Sequence, residues 1–283
     1  MNAKTMTLPL LVALVSGMSQ AWAAPVLAPE LASFAVLGAS TVTNTGATGL
    51  IGNLGVSPGS VITGFFGTLE NDGPGTFTGA PHQADAFAGT AHIQLANAKA
   101  GLGLLGPVKS LGAELGGLTL AQGIYSVLAG GNLTGTLTLD GAGDANAFWV
   151  FLVPSTLITA AGSVVDVIHA GAGAGLYWNV GSSATLGANS TFEGNVLAGV
   201  SVSIGDGVTL SCGRALAHTG AVTMIHDTVN SADCAGTGEE GSNGLNGGVP
   251  AVVPEPETYA LMLAGLGALC LIARGRRRGT TAR

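Results

Sequence analysis

Charge is what this chain of 283 residues has least of. Asp, Glu, Lys and Arg together make up 9% of it, against roughly 25% in ordinary soluble domains. Of its nine basic residues, Arg274, Arg276, Arg277, Arg278 and Arg283 crowd the last ten positions. Between Ala24 and Val253 only Lys99, Lys109 and Arg214 are basic, against fourteen acidic residues, a net charge of −11. That balance excludes nucleic acid and anionic membrane surfaces as partners, because both are held by clustered Lys or Arg. Cysteine is equally scarce, at three residues, and their spacing fits no metal site. The five histidines, His82, His92, His169, His218 and His226, lack ligand spacing as well. Gly101-Leu102-Gly103-Leu104-Leu105-Gly106 has the letters of a dinucleotide fingerprint, but it follows a helical pattern rather than a strand. Asp140 to Asn146 lacks the closing Glu of a calcium loop and reads as a tight Asp/Gly turn. No catalytic residue, metal or cofactor is expected.

Long apolar runs are confined to the two ends. Residues 1–23 combine Lys4, an apolar run from Leu8 to Val15 and the small-residue site Ala21-Trp22-Ala23, the order of a secretory signal peptide. At the other end Pro254-Glu255-Pro256 precedes an apolar stretch over about 258–273 and then the arginine cluster. An apolar stretch of this length lies at the short edge of a membrane span, with the arginines on the cytoplasmic side. The order of residues 254–283 closely resembles the PEP-CTERM sorting signal. The resemblance implies an exosortase that cuts near Pro254-Glu255-Pro256 and discards the helix. An exported chain lives in an oxidising compartment, so Cys212 and Cys234 are expected to pair, while Cys270 leaves with the apolar segment. Residues 236–253, rich in Gly, Ser, Asn and Glu, read as a flexible linker. The domain proper is then 24–235.

Glycine, by contrast, is abundant, at 47 residues, and it punctuates a repeat. Ala184-Thr185-Leu186-Gly187 and Val202-Ser203-Ile204-Gly205 lie eighteen residues apart, and Val222-Thr223-Met224-Ile225 follows after twenty. A short period of small polar and β-branched residues marks a stack of β-coils. The strand 148–153 has relatives at 176–180, 195–198 and 214–217, each preceding the repeat by a similar distance. One segment breaks the pattern. Over about 83–105, Phe87, Ala91, Leu95, Ala98 and Leu102 recur at helical spacing, which predicts one long helix whose Ala-rich stripe packs on a sheet.

Strand alternation then assigns faces. Ala184, Leu186, Val202, Ile204, Val222 and Met224 should point inward, leaving Ser183, Thr185, Ser201, Ser203 and Thr223 outward, with Thr191 and Thr209 outward beside inward Phe192 and Leu210. The result is a ladder of hydroxyls and methyls. Threonine is stiff at χ1, so the ladder is pre-ordered. Polysaccharide-cleaving solenoids need clustered acids or bases on a face, and the repeats carry Ser, Thr, Ala and Asn instead.

The succession Leu37 to Gly46, Gly52 to Gly59, an Ala-rich helix, Leu115 to Leu120 with Gly123-Ile124-Tyr125, Val180 to Gly187 and Gly213 to Ala217 resembles the large microbial ice-binding protein family over 31–229. That resemblance implies a mainly β fold, an irregular right-handed β-solenoid of triangular section, with one long α-helix packed alongside, a loop-rich cap and one flat face that binds an ice crystal surface. The family motif Thr-Ala/Gly-x-Thr/Asn is similar to Thr45-Gly46-Ala47-Thr48, in part to Thr159-Ala160-Ala161-Gly162, and at its last position to Ala188-Asn189-Ser190-Thr191 and Asp206-Gly207-Val208-Thr209. The expected ice-contact set is Thr41, Thr43, Thr45, Thr48, Thr159, Ser183, Thr185, Asn189, Thr191, Ser201, Ser203, Thr209 and Thr223. The alternative is an extracellular matrix or surface protein whose flat face binds polysaccharide or another copy of itself.

The cysteine pairing has a direct test. Reduction of Cys212–Cys234 should cost about 2–5 kcal/mol of stability and lower the melting temperature; two titratable thiols in the unreduced, denatured protein would contradict the pairing.

Overall fold

The computed structural model describes residues 26–106, 108–171 and 173–232. The signal segment, Cys234, the linker, the sorting motif and the apolar stretch 258–273 lie outside the described residues. Among those described, no helix is long and apolar enough to cross a membrane.

Three parallel sheets form the sides of a triangular β-solenoid. Sheet A has nine strands, sheet B seven and sheet C eight. A typical coil passes once through each: Gly175–Val180 in A, Ala184–Leu186 in B, Thr191–Glu193 in C, then Asn195–Ala198 back in A. Neighbouring coils pair in register, Ala184 with Val202 and Thr185 with Ser203, so equivalent side chains stack at the strand spacing of about 4.8 Å. The interior is apolar and ordered in files. Tyr125, Phe151 and Trp178 occupy one register position in three successive coils, with ring centroids 5.6 and 4.2 Å apart, and Phe192 lies 5.0 Å beyond Trp178.

Chain order and spatial order differ. Sheet A opens at one end with the strands Pro81–Gln83, Asn53–Val56 and Phe34–Gly38, whose next neighbour is Ala215–Ala217, the last strand of that sheet in sequence. The chain therefore builds two coils at one end, crosses to the other, and winds back until its last coil meets its first. Crossing nine strands means covering roughly 38 Å at the usual strand spacing. The long helix covers most of this distance. After the short helix α1 (Pro29–Ala32), helix α2 (Ala86–Gly103) spans 18 residues, about 27 Å at 1.5 Å per residue. It starts on Asp85, whose side chain accepts from Ala88 N, a standard N-cap. Ala88, Ala91, Leu95, Ala98 and Leu102 are its buried stripe. They cover the outward side of sheet A, packing with Phe34, Leu37, Ile124, Val150, Tyr177, Leu197 and Leu216. Small alanines let the helix approach closely. Phe87, expected in that stripe, is 37% exposed and stacks on the His82 ring at 4.5 Å. Lys99 Nζ donates to Asn179 Oδ1 and to the carbonyls of Val180 and Leu197 at 2.7–2.9 Å, clamping the helix onto two coils. Burial lowers its pKa to about 8.

The open ends are plugged. The loop from Phe66 to Gly75 covers one end above buried Phe65, held where Gly64 N donates to Asp72 Oδ1 and Gly67 N to Asn71 Oδ1. The segment around buried Leu115 closes the other.

The seam between last and first coil is stitched by Arg214, which is 1% exposed. Its Nε donates to Ala32 O and its Nη1 to Asn195 Oδ1, both at 2.8 Å. Arg214→Ala strands both acceptors in the interior and should lower the unfolding free energy by about 2–4 kcal/mol in urea titration. A loss below about 0.5 kcal/mol, the usual size of a surface effect, would contradict the seam's role.

Candidate functional site: an open, uncharged sheet face

With sheet A under helix α2, sheets B and C are the open faces. Face B is built by simple alternation. Val42, Ile62, Leu133, Leu157, Ala184, Leu186, Val202, Ile204, Val222 and Met224 are buried, so the residues between them must face out. Register places Asn132, Ile158, Thr185, Ser203, Thr223, Thr43 and Thr63 in one file across all seven strands. Six strand spacings make that file roughly 29 Å long. A second file begins with Thr41 beside Val61, and a third pairs Thr45 with Ile225. Files along a strand stand about 6.7 Å apart. No strand of sheet B contains an ionisable side chain. Ile158, Val61 and Ile225 are 48%, 42% and 40% exposed, a cost in water that no contact in the described structure offsets.

Face C has an even more regular threonine file. Thr136, Val164, Thr191, Thr209, Thr228, Gly49 and Thr76 align across seven strands. Its neighbouring file is acidic, however. Asp166 is paired with Thr138, and Glu193 with Ser211 on the adjacent coils. Burial, reinforced by the charge of Asp166, pushes the Glu193 carboxyl up to about 7. Beside it, a cavity of about 220 Å³ lined by Trp149, Leu176, Glu193 and Cys212 opens at the corner between sheets C and A.

The thirteen residues expected on one face fall in five places. Thr41, Thr43, Thr45, Thr185, Ser203 and Thr223 lie on face B, and Thr191 and Thr209 on face C. Ser183 and Ser201 sit half-buried at the A–B corner, where their hydroxyls accept from Ser201 N and Ala221 N at 3.3 Å and so tie coil to coil. Asn189 occupies the B–C corner. Thr48 and Thr159 are 1% and 3% exposed, which corrects their outward placement. Thr48 Oγ1 donates to Asn44 Oδ1 at 2.6 Å and accepts from Asp227 N at 3.0 Å, and Thr159 Oγ1 accepts from Gly187 N at 2.8 Å. The four-residue motif is thus the turn out of sheet B rather than the face itself. Its second position is left-handed in three copies, at Gly46 (φ 93°), Asn189 (56°) and Gly207 (73°), and in Thr159–Gly162 the left-handed residue is the last, Gly162 (68°); Gly and Asn are least strained there. His226 (φ 51°) takes the same corner, pairs with Asp206 at 3.2 Å, and fills the space a side chain on Gly46 would need. Asp227, turned inward behind it, accepts from Ile225 N and Val208 N; burial still pushes it up to about 6. Sequence reasoning missed Thr63, Asn132 and Ile158 on face B and Thr136 and Thr228 on face C. Alternation alone could have found Ile158 within Leu157-Ile158-Thr159.

Gly55-Val56-Ser57-Pro58-Gly59 carries nucleophile-elbow letters, but it links two strands, whereas an elbow joins strand to helix. Ser57 Oγ has no hydrogen bond to a histidine among the described residues. No group of three His, Cys, Asp or Glu side chains among the described residues is placed to hold a metal ion.

Comparison with known proteins agrees with this geometry. Residues 36–230 match the family described as Ice-binding-like, and residues 252–278 match the PEP-CTERM protein-sorting motif. An ice-binding protein of Nostoc sp. (strain HG1) is 41% identical over 279 residues, covering 98% of this chain and 97% of the relative. The crystal structure of an ice-binding protein from the Antarctic ascomycete Antarctomyces psychrotrophicus superposes with a TM-score of 0.66 at 36% identity, covering 72% of this chain and 97% of that one. The domain of Shewanella frigidimarina ice-binding protein 1 gives 0.64 at 27% identity, over 74% and 98%. The chain is exported by way of its PEP-CTERM signal, and it belongs to the ice-binding-like family.

Proposed function

We propose that the protein adsorbs to ice through face B and thereby slows ice growth and recrystallisation. The observation that carries this is a file running across all seven strands of an uncharged sheet, with no ionisable side chain on any of them. A carboxylate orders water around its own charge, whereas threonine offers a methyl and a hydroxyl at each lattice point. Thr43, Thr185, Ser203 and Thr223 make no side-chain hydrogen bond among the described residues, so their hydroxyls are available to a water layer. The stacked coils hold these groups rigid, so little entropy is lost on docking. Adsorbed molecules force the growing front to curve between them, which slows it. Face C supports adsorption less well, because Asp166 and Glu193 break its second file.

The runner-up is a matrix or surface protein whose flat face binds polysaccharide or itself. The PEP-CTERM motif supports export and membrane-associated sorting and is compatible with either. In this reading exosortase is the processing partner, the apolar segment anchors the chain transiently, Cys212 and Cys234 form a bridge, and the protein ends on the cell surface or in the medium.

Two tests follow. Thr185→Tyr and Thr223→Tyr should abolish most ice-recrystallisation inhibition, while Thr191→Tyr and Thr209→Tyr keep it; exposed changes of this kind shift stability by only about ±0.5 kcal/mol. The reverse pattern would move the site to face C. Separately, ice activity of the folded protein should not change between pH 7 and 9, because no strand of sheet B carries an ionisable side chain and Asp227, which holds Ile225 N from behind, is pushed up only to about 6. Stability should. Glu193 holds its proton more tightly folded than unfolded, so its contribution is full below the ordinary carboxylate range and is lost as pH rises toward 7. Glu193→Gln should therefore match the parent near pH 4.5 and exceed it at pH 8 in thermal melts. Equal melting at both pH values would show that Glu193 is not buried as described.

A further inference from the structure

A chain of buried polar groups runs behind face B where the last coil meets the first. Strands Val222–Ile225 and Thr41–Thr45 are neighbours in sheet B, yet they stand at opposite ends of the domain sequence, and no turn joins them. Asp227, 1% exposed, spans this break. Its Oδ2 accepts from Ile225 N at 2.7 Å in its own coil, and its Oδ1 from Val208 N at 2.9 Å in the coil before. Its N donates to Thr48 Oγ1 at 3.0 Å, across 179 positions in sequence, and Thr48 Oγ1 donates in turn to Asn44 Oδ1 at 2.6 Å. Asn44 Nδ2 donates to Gly46 O and Gly64 O, both at 2.8 Å. From Val208 to Gly64 the chain ties together four successive coils. Their strands in sheet B carry Ser203, Thr223, Thr43 and Thr63 in one file.

We infer that Asp227, Thr48 and Asn44 are positioning residues for ice adsorption, which hold the hydroxyls on both sides of the seam in one plane without touching the crystal. This rests on the ice-binding reading of face B. Where coils follow one another in sequence, the corner between them limits how far one can tilt against the next. At the seam that restraint is missing, and hydrogen bonds replace it. Arg214 does so on sheet A, and Ser231 Oγ does so at the corner between C and A, donating to Ile51 O at 2.7 Å. The Asp227 chain borders face B. All three of its side chains are buried, so none can meet ice directly. A tilt at this seam would throw Thr43 and Thr63 out of line with Ser203 and Thr223, and hydroxyls that must match one crystal lattice together tolerate no such kink. The charge of Asp227 enters as well. An ionised carboxylate accepts with both oxygens, whereas a protonated one turns one oxygen into a donor, here set against a backbone N–H. Burial pushes this carboxyl up to about 6, with Asp206 adding to the rise and the two bound N–H groups and His226 opposing it. Asp206 and His226, both more than half exposed, are the titratable groups at that corner; Thr45 to Thr48 of the first coil contribute none. The folded chain takes up this proton more readily than the unfolded one, so acidification through 6 costs no stability at this group. Loss of ice activity over that range, with the fold intact, is therefore a signature of positioning.

The test measures ice recrystallisation in buffered sucrose beside melting curves of the same samples. Thr48→Val keeps the side-chain shape and removes the hydroxyl link. At pH 7.5 it should need about five-fold more protein than the parent for equal inhibition, the size of one lost hydrogen bond, while still folded at the assay temperature. Thr48→Ser, which restores the hydroxyl, should recover the parent's activity. Between pH 7.5 and pH 5 the parent should lose inhibition with no fall in melting temperature, and Asp227→Asn, neutral throughout, should stay at the parent's pH 5 level at both. Should Thr48→Val not fold, the parent's pH step decides. Full activity in folded Thr48→Val, an unchanged parent at pH 5, or a pH step that survives in Asp227→Asn and so belongs to His226 and Asp206, would overturn the inference and leave the ice-binding reading of face B standing. A folded parent that fails to inhibit recrystallisation at pH 7.5 sinks that reading, and this inference falls with it.

Discussion

Everything in this molecule depends on coils stacking in register through parallel backbone hydrogen bonds. Each coil must turn three times and return about 4.8 Å further along the axis. In-register pairing makes every outward residue part of a file, and the fold multiplies each local choice by the number of coils. One threonine in a coil is an ordinary exposed residue; seven aligned positions on sheet B become a patterned surface. The same multiplication acts inside, where Tyr125, Phe151 and Trp178 stack, and at the B–C corner, where left-handed residues recur coil after coil.

Stacking also creates a difficulty. A solenoid with open ends exposes unpaired strand edges, and its two halves here are far apart in sequence. The chain answers with α2, whose 18 residues carry it back along sheet A and bury that side, and with Arg214, which closes the seam. One side is thereby spent on the return crossing. Acidic groups occupy part of the second. Face B is what remains, open and uncharged, with Ile158, Val61 and Ile225 exposed on it.

How far the sequence revealed this follows from what periodicity encodes. The repeat spacing, the helix near 83–105 and the alternation of Ala184-Thr185-Leu186 were all legible, because each depends on neighbours within one turn or strand. The partition of faces was not. Thr185 and Thr191 sit six residues apart and look equivalent, yet a corner between them sends one to face B and the other to face C. Thr48 and Thr159 fit the family's motif and are buried, because the motif encodes a left-handed corner, and the side chain beside such a corner can be recruited to satisfy inward polar groups. The pairing of Phe34–Gly38 with Ala215–Ala217 joins segments nearly the whole domain apart, and no local pattern announces it.

The central claim is that this stack of coils holds an ice-adsorbing plane. It is tested most directly by measuring recrystallisation of fine-grained ice in the presence of purified protein spanning Ala24 to Val253. The account predicts that crystals stay small at protein concentrations where an inert protein of similar size lets them coarsen. Coarsening at the inert protein's rate, with the chain shown to be folded, would contradict it.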